Sequence, residues 1–235
     1  MLKILKNLKE TLVSVVIIVL LLCVQAWADL TLPDYTSKIV NVGIQQGGIE
    51  NAAPDAITKS HMDTLLLFTK EDNTILDNYS LVSKNTLNEK DYEKYLKKYP
   101  SLENEELYII NDLTETEQEN LNNIMAKPLM ILSKVTNEEL KTIPEEQLEV
   151  MLKNVEEKFN GMNESILNQA AISAVKEEYK EIGINTDDLQ NKYIFLTGLQ
   201  MLGVALISMV AAVIIMLLSS RVAAKLRKNI KRQSI

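Results

Sequence analysis

The chain has 235 residues, a formal net charge of −7, one histidine and one cysteine. A single histidine excludes metal motifs built on paired histidines, and the sequence has no Gly-Lys pair from which to build a phosphate-binding loop. A lone cysteine excludes a disulfide framework, and the acidic balance argues against a nucleic-acid partner. The sequence therefore assigns no catalytic, cofactor-binding or metal-binding residue, and it leaves an enzymatic role uncertain.

Residues 1–10 read MLKILKNLKE, with lysines at every third position and apolar residues between them. On a helix this spacing separates a basic stripe from an apolar one. Such a segment can lie along the inner leaflet, so residues 1–10 are predicted to be a cytoplasmic amphipathic elbow helix.

Residues 11–29 are predicted to form the first transmembrane helix, because residues 12–28 carry no charge. The alternative is a signal peptide, since Ala26-Trp27-Ala28 fits a cleavage site after the basic start and apolar run. We expect the span to end near Asp29, and a second, amphipathic helix to begin after Pro33 and end at Gly47-Gly48.

Residues 30–190 are predicted to form an extracytoplasmic insertion domain that is mainly helical, with a contribution from strands left open. Helical patterns occur at residues 89–99 and 145–159, whereas short apolar runs at 64–68, 107–110 and 128–135 could be strands. His61 is interpreted as a surface residue and the adjacent acidic pairs, such as Glu177-Glu178, as solvated helix faces.

Near the end of this domain, Gly183 is expected to stop a helix that runs through residues 175–182. Thr186 is expected to be the N-cap of the last helix, with Asp187 and Asp188 at its positive end. That helix would be one rod of over 40 residues.

Residues 191–218 are predicted to form the second transmembrane helix, because residues 193–218 hold no charged side chain. Residues 219–235 would continue it as a cytoplasmic helix. Residues 29–190 carry a net charge of −16, whereas residues 1–10 and 191–235 carry +2 and +7. Because basic residues beside a span stay in the cytoplasm, the expected fold is an α-helical, multi-pass plasma-membrane protein with both termini inside. Buried core helices of a soluble protein are the alternative.

Small and polar residues within the spans are the candidate functional positions. Small residues let helices approach closely in lipid, and an amide in lipid needs a partner. Antiparallel spans could bring the two glutamines together, as a structural bond or as part of a substrate pathway. The positions singled out for a helix interface or pathway are Gln25, Gln200, Gly198, Ala205, Ser208, Ala212 and Ser219.

Three stretches resemble one known family. The first is LPDYTSKIVNVGIQQGG, directly after the first uncharged run. The second is Gly183-Ile184 together with Asp187–Gln190, and the third is SSRVAAKLRKNIKR, at the end of the second uncharged run. Together they resemble the start of the transmembrane domain of Firmicutes-type multidrug ABC exporters, specifically half-transporters with a large outer insertion between the first two spans.

This resemblance implies transport of small molecules or drugs, with ATP and Mg²⁺ bound by a domain that the sequence lacks. It also implies three partners: the lipid bilayer, the rest of the transporter, and a second half-transporter that is either identical or different. Family members have six spans per half and an ATP-binding domain, whereas this chain has two spans and no phosphate loop. The chain is therefore expected to be a fragment or truncation that cannot transport alone.

Two other layouts fit the same order of elements. A chemoreceptor or sensor kinase also has a span, an outer ligand domain and a second span, although such proteins commonly carry a proline soon after the second span and residues 219–235 have none. A secreted domain with a cleaved signal and one C-terminal anchor is the third layout. N-terminal sequencing separates it from the others, because its mature chain would start at Asp29.

Overall fold

The computed structural model describes residues 12–69, 72–132 and 164–233, together with positions 150 and 153. The predicted elbow helix at 1–10 and most of the helical pattern at 145–159 lie outside these residues. The chain divides into two compact units. We call the first, residues 12–41 and 193–233, the helix pair, and the second, Val42–Lys192, the inserted domain.

Helices dominate the described chain, and one small sheet lies among them. In chain order the elements are α1 (Leu12–Lys38), a π-helical segment (Ile39–Gln45), β1 (Ala56–Thr58), α2 (Lys59–Leu66), α3 (Asp72–Asp77), β2 (Tyr79–Val82), α4 (Glu89–Lys98), a 3₁₀ turn (Pro100–Glu103), β3 (Leu107–Ile110), α5 (Glu115–Leu132), α6 (Glu164–Glu181) and α7 (Thr186–Gln233).

The two long helices α1 and α7 are both long and apolar enough to cross a membrane. Only 6% and 17% of the residues in their most apolar stretches are buried. A core helix of a soluble protein would bury most of such a stretch. The expected fold class is confirmed at this level: a mainly helical chain with two helices able to span a bilayer and a small sheet besides.

The expected helix break after Asp29 is wrong, because α1 continues through Pro33 to Lys38 and then widens into π-helical turns. An interior proline removes one backbone hydrogen bond and crowds the carbonyl four residues earlier, so the helix continues there at a cost that packing must offset. Leu32 and Tyr35, on either side of it, stay half-buried. The expected stop is confirmed, since the helix ends before Gly47 and Gly48, which both have positive φ.

Half-buried and buried positions recur along α1 and α7 at alternating spacings of four and three residues. This repeat of 3.5 residues is typical of two helices that pack along one seam. The seam positions are Ser14, Ile18, Leu21, Gln25, Ala28, Leu32 and Tyr35 on α1, and Thr197, Met201, Val204, Ser208, Ala211, Ile215 and Leu218 on α7.

The sheet of the inserted domain has three antiparallel strands in the order β1-β3-β2. Ile57 pairs with Tyr108, and Leu81 pairs with the same residue from the other side. Residues 107–110, one of the three possible strands, are therefore a strand, and it is the central one. The other two possible strands, 64–68 and 128–135, are not strands where the structure describes them. Residues 64–66 end α2, residues 67–68 form a turn after it, and residues 128–132 end α5, whereas 133–135 lie outside the described residues.

Local sequence explains where the short helices begin. Thr58 caps α2 by accepting a hydrogen bond from the His61 N–H, and Asn88 caps α4 by accepting one from the Asp91 N–H. Acidic residues in the first turn of α4 and lysines in its last turn both complement the helix dipole. The helical pattern predicted at 89–99 is confirmed.

The core of the inserted domain lies between the sheet and helices α2, α5 and α6. Each of these elements contributes to this one core, together with residues of neighbouring segments. The largest fully buried side chains are Tyr99, Ile57, Met62, Leu65, Ile75, Leu107, Leu121, Met125, Leu129, Ile182 and Val175. Burial of each large apolar side chain contributes about 1.5–3 kcal/mol.

At the start of α7 the cap is Asn185, one residue before the expected Thr186. The Asn185 side-chain oxygen accepts hydrogen bonds from the Asp187 and Asp188 N–H groups at 3.1 and 3.3 Å. Gly183, with φ 83°, ends the preceding helix as expected. The rod predicted from there is confirmed, since α7 has 48 residues.

Candidate functional site

One hydrogen bond fixes the register of the helix pair. Ser208 Oγ donates to Asp29 Oδ1 at 3.0 Å. An apolar groove beside it, about 320 Å³ in volume, is lined by Leu21, Val24, Leu206, Ile207, Val210, Ala211 and Ile214. Positions before Asp29 therefore lie beside positions after Ser208, so the two helices are antiparallel.

This register does not bring Gln25 and Gln200 together. Gln25 lies four residues before Asp29, and Gln200 lies eight before Ser208. Because the helices are antiparallel, these offsets add to about 18 Å along the axis at 1.5 Å per residue. Gln25 is half-buried on the α1 seam, whereas Gln200 is exposed.

The predicted stripe of small residues lies beside the seam of α7. The buried positions Thr197, Val204 and Ala211 each come one residue before Gly198, Ala205 and Ala212, which border the seam. A Cβ added at Gly198 would meet no atom within 4 Å, and Ser219 is exposed. Of the seven positions predicted for a helix interface or pathway, Ser208 and Gln25 lie on the seam. The other five border the seam or are exposed, so they could contact further helices.

A second cluster of polar groups lies in the inserted domain, where α2 meets α6. His61 Nδ1 is hydrogen-bonded to Glu178 Oε2, and Glu181 Oε2 lies 3.6 Å from the same nitrogen. Glu178 and Glu181 are three residues apart on α6, so both point from one face of that helix. We call His61, Glu178 and Glu181 the His61 cluster.

Backbone and side-chain bonds hold this cluster in place. The Thr58 N–H donates to Glu178 Oε1 at 2.7 Å, and Thr58 Oγ1 accepts from the His61 N–H at 3.3 Å. The Glu178 side chain is 5% exposed and that of His61 is 19% exposed, whereas that of Glu181 is 61% exposed. The cluster therefore has a buried side and a side open to solvent.

The surroundings raise the pKa of two groups there, His61 and Glu105. The hydrogen bond that His61 donates to the Glu178 carboxylate raises the pKa of His61 above its usual value, against the opposing effect of burial. Partial desolvation, and then the negative charge of Glu178, raise the pKa of Glu105, which lies near the cluster. The arrangement is an imidazole among three carboxylates.

Two interpretations from the sequence are wrong here. His61 is not a free surface residue, and Glu178 is not on a solvated face, because each is the other's partner. The two residues are 117 positions apart, so sequence spacing could not join them. The only usable signals were the uniqueness of His61 and the i, i+3 spacing of Glu178 and Glu181.

Comparisons with known proteins found no relative of this chain. No protein-family model, curated protein or solved structure matches the chain.

Proposed function

We propose that the helix pair forms the first two spans of the membrane domain of an ATP-driven exporter, and that Asp29 lines its polar pathway. The observation that carries this proposal is the hydrogen bond between Ser208 and Asp29. The proposal also rests on the sequence resemblance to multidrug exporters.

The depth that we propose for Asp29 follows from its bond to Ser208. Ser208 lies near the middle of the uncharged run 193–218. With this run across the bilayer, the Asp29 carboxylate lies close to mid-membrane rather than at the outer edge of α1. A carboxylate at that depth is costly in contact with lipid and is typical of substrate or proton pathways.

The surroundings of Asp29 support a polar pathway. Asp29 is exposed within the helix pair, so Ser208 covers only part of its carboxylate. A pocket of about 410 Å³ lies further along α1 and is lined by Thr31, Asp34, Tyr35, Ser37 and Lys38. Polar residues over this length of α1 require other helices or water around them.

The outer faces of the helix pair also favour a larger membrane assembly. Apolar side chains away from the seam are largely exposed, among them Leu20 at 61%, Phe195 at 69% and Met216 at 76%. Lipid or other spans can cover these faces. An exporter supplies further spans, whereas a two-span sensor leaves Asp29 and Asp34 without a polar pathway. This difference favours the exporter over the sensor.

Accessibility of Asp29 during the transport cycle tests the proposal. In native membrane vesicles, Cys23 is replaced by alanine and Asp29→Cys or Asp34→Cys is introduced singly. Alternating access moves the pathway between two faces, so labelling of either cysteine by a membrane-impermeant maleimide should change severalfold between nucleotide-free and ATP/vanadate-trapped vesicles. Val213→Cys, on an exposed apolar face, should label poorly in both states.

If the labelling of Asp29→Cys is the same with and without ATP and vanadate, the exporter proposal is contradicted. Labelling that responds to an external ligand alone indicates the sensor. The second position, Asp34, covers the case in which replacing Asp29 disrupts the helix pair.

A further inference from the structure

We propose that the His61 cluster binds one divalent transition-metal ion of the Zn²⁺ class, with His61 Nδ1, Glu178 Oε2 and Glu181 Oε2 as ligands. This site lies in the inserted domain and is independent of the proposed transport function. The bound ion would join α2 to α6.

The distance from His61 Nδ1 to Glu181 Oε2 suits an ion of this size, whereas the direct hydrogen bond between His61 Nδ1 and Glu178 Oε2 has to open to admit one. The three ligand atoms lie within 4.8 Å of one another, and His61 Nδ1 lies 3.6 Å from Glu181 Oε2. Ligands at about 2.0–2.1 Å from a tetrahedral Zn²⁺ are separated by about 3.4 Å. Rotation of the Glu178 side chain away from His61 would open this hydrogen bond and leave all three donors around one ion.

The cluster also holds excess negative charge. Two carboxylates face one imidazole, and Glu105 adds the field of a third. Among the described residues, no lysine or arginine lies within 4.0 Å of Glu178, Glu181 or Glu105; Lys180, on the same helix, pairs with Glu177 instead. Even a protonated His61 leaves this charge uncompensated, and a divalent cation neutralises it.

Groups behind the ligands orient them, as is usual around metal ions. The Thr58 N–H holds the second oxygen of Glu178 at 2.7 Å, so Oε2 is directed towards His61. The Thr58 hydroxyl fixes the first turn of α2, from which His61 projects. Outer bonds of this kind raise the affinity of protein metal sites about 10–100-fold.

The donor set selects the class of ion. An imidazole nitrogen with carboxylate oxygens suits Zn²⁺ and its first-row neighbours, whereas Ca²⁺ and Mg²⁺ prefer oxygen donors alone. Three protein ligands leave a fourth position for water. Because Glu181 is 61% exposed, the ion can enter from solvent.

Zinc titration of the purified full chain, with a histidine-free affinity tag, tests this site. Calorimetry after removal of trace metal should give saturable binding of one Zn²⁺ per chain, and Zn²⁺ should raise the thermal unfolding midpoint. Co²⁺ in place of Zn²⁺ should give the visible absorption of a tetrahedral site. Glu181→Gln and His61→Gln should each weaken binding by about tenfold or more.

Glu177→Gln is the matched control, because Glu177 lies on α6 beside the cluster and pairs with Lys180 at 2.8 Å. It should bind Zn²⁺ like the unmodified chain. Glu181→Gln removes an exposed carboxylate and so tests the site even where His61→Gln fails to fold. Equal weakening by Glu177→Gln and Glu181→Gln, unaltered binding by Glu181→Gln, or no saturable binding overturns the proposal.

Discussion

Thr114 and Glu117 form a reciprocal cap at the start of α5. The Thr114 N–H and hydroxyl both donate to Glu117 Oε2 at 2.8 Å, and the Glu117 N–H donates to Thr114 Oγ1 at 3.3 Å. This T-x-x-E arrangement is a capping box. The two bonds from Thr114 stabilise the carboxylate and lower the pKa of Glu117.

The capping box predicts a pH-dependent contribution to stability. A lowered pKa in the folded state stabilises the protein above the unfolded pKa, near 4.5, and this stabilisation is lost as the pH falls through the folded pKa. Glu117→Gln should therefore lower the unfolding midpoint at pH 7, and its difference from the unmodified chain should vanish under acid conditions. Thermal unfolding followed by circular dichroism across this pH range measures it.

Glu119→Gln, at an exposed position on the same helix, is the control and should leave the midpoint unchanged. Thr114→Ala should cost about 1 kcal/mol, as the loss of an N-cap usually does. A Glu117→Gln deficit that does not shrink as the pH falls below 4.5 contradicts the pKa argument.

Residues close in sequence could be interpreted correctly, whereas distant pairs could not. The stop at Gly183 follows from local backbone rules, and the same rules place the cap of α7 within one residue of its true position. The bond between His61 and Glu178 depends on how α2 packs against α6, which no local pattern encodes. The sequence therefore missed the one cluster in the described chain that joins a histidine to carboxylates.

Among the elements, the connection from α1 into the inserted domain depends on Gly48. Its φ is 81°, and an added Cβ would lie 2.9 Å from the Gln190 Cα and 3.0 Å from the Leu189 carbonyl oxygen. Both are backbone atoms of α7, so neither can move aside as a side chain does. Glycine is required there by conformation and by space.

Gly48→Ala should lower stability by more than about 2 kcal/mol, because the left-handed backbone alone costs an alanine about 1–2 kcal/mol and the contact with α7 adds to it. Gly203→Ala is the matched control, since no atom lies within 4 Å of its added Cβ. That change should leave the unfolding midpoint equal or higher. Thermal unfolding of both variants in detergent compares them, and equal midpoints would refute the requirement at Gly48.

Long uncharged runs predicted the two long helices, since their length and lack of charge allow few other structures. Runs of four to eight apolar residues did not reliably predict whether the segment is a strand or a helix. Residues 107–110 are a strand and residues 64–66 a helix, because pairing with β1 and β2 decides the first and the Thr58 cap decides the second. Similarly, packing along the seam keeps α1 helical through Pro33.

At the scale of the whole molecule, the charge distribution predicts that the inserted domain lies outside the cell and both termini inside. A specific protease site inserted after Asn85, in an exposed turn, should be cleaved by protease added to intact cells. The same site after Ile235 should be protected until the cells are permeabilised. Immunoblotting follows both, and the opposite pattern would show an inverted orientation.

The backbone contact between Gly48 and Gln190 also bears on how such a protein could arise. The inserted domain is entered and left at neighbouring points, because a Cβ added at Gly48 would lie 2.9 Å from the Gln190 Cα. A domain whose two ends lie this close together can be inserted or removed with little change to the chain on either side of it. A short turn in place of the domain could join the same two points of the chain.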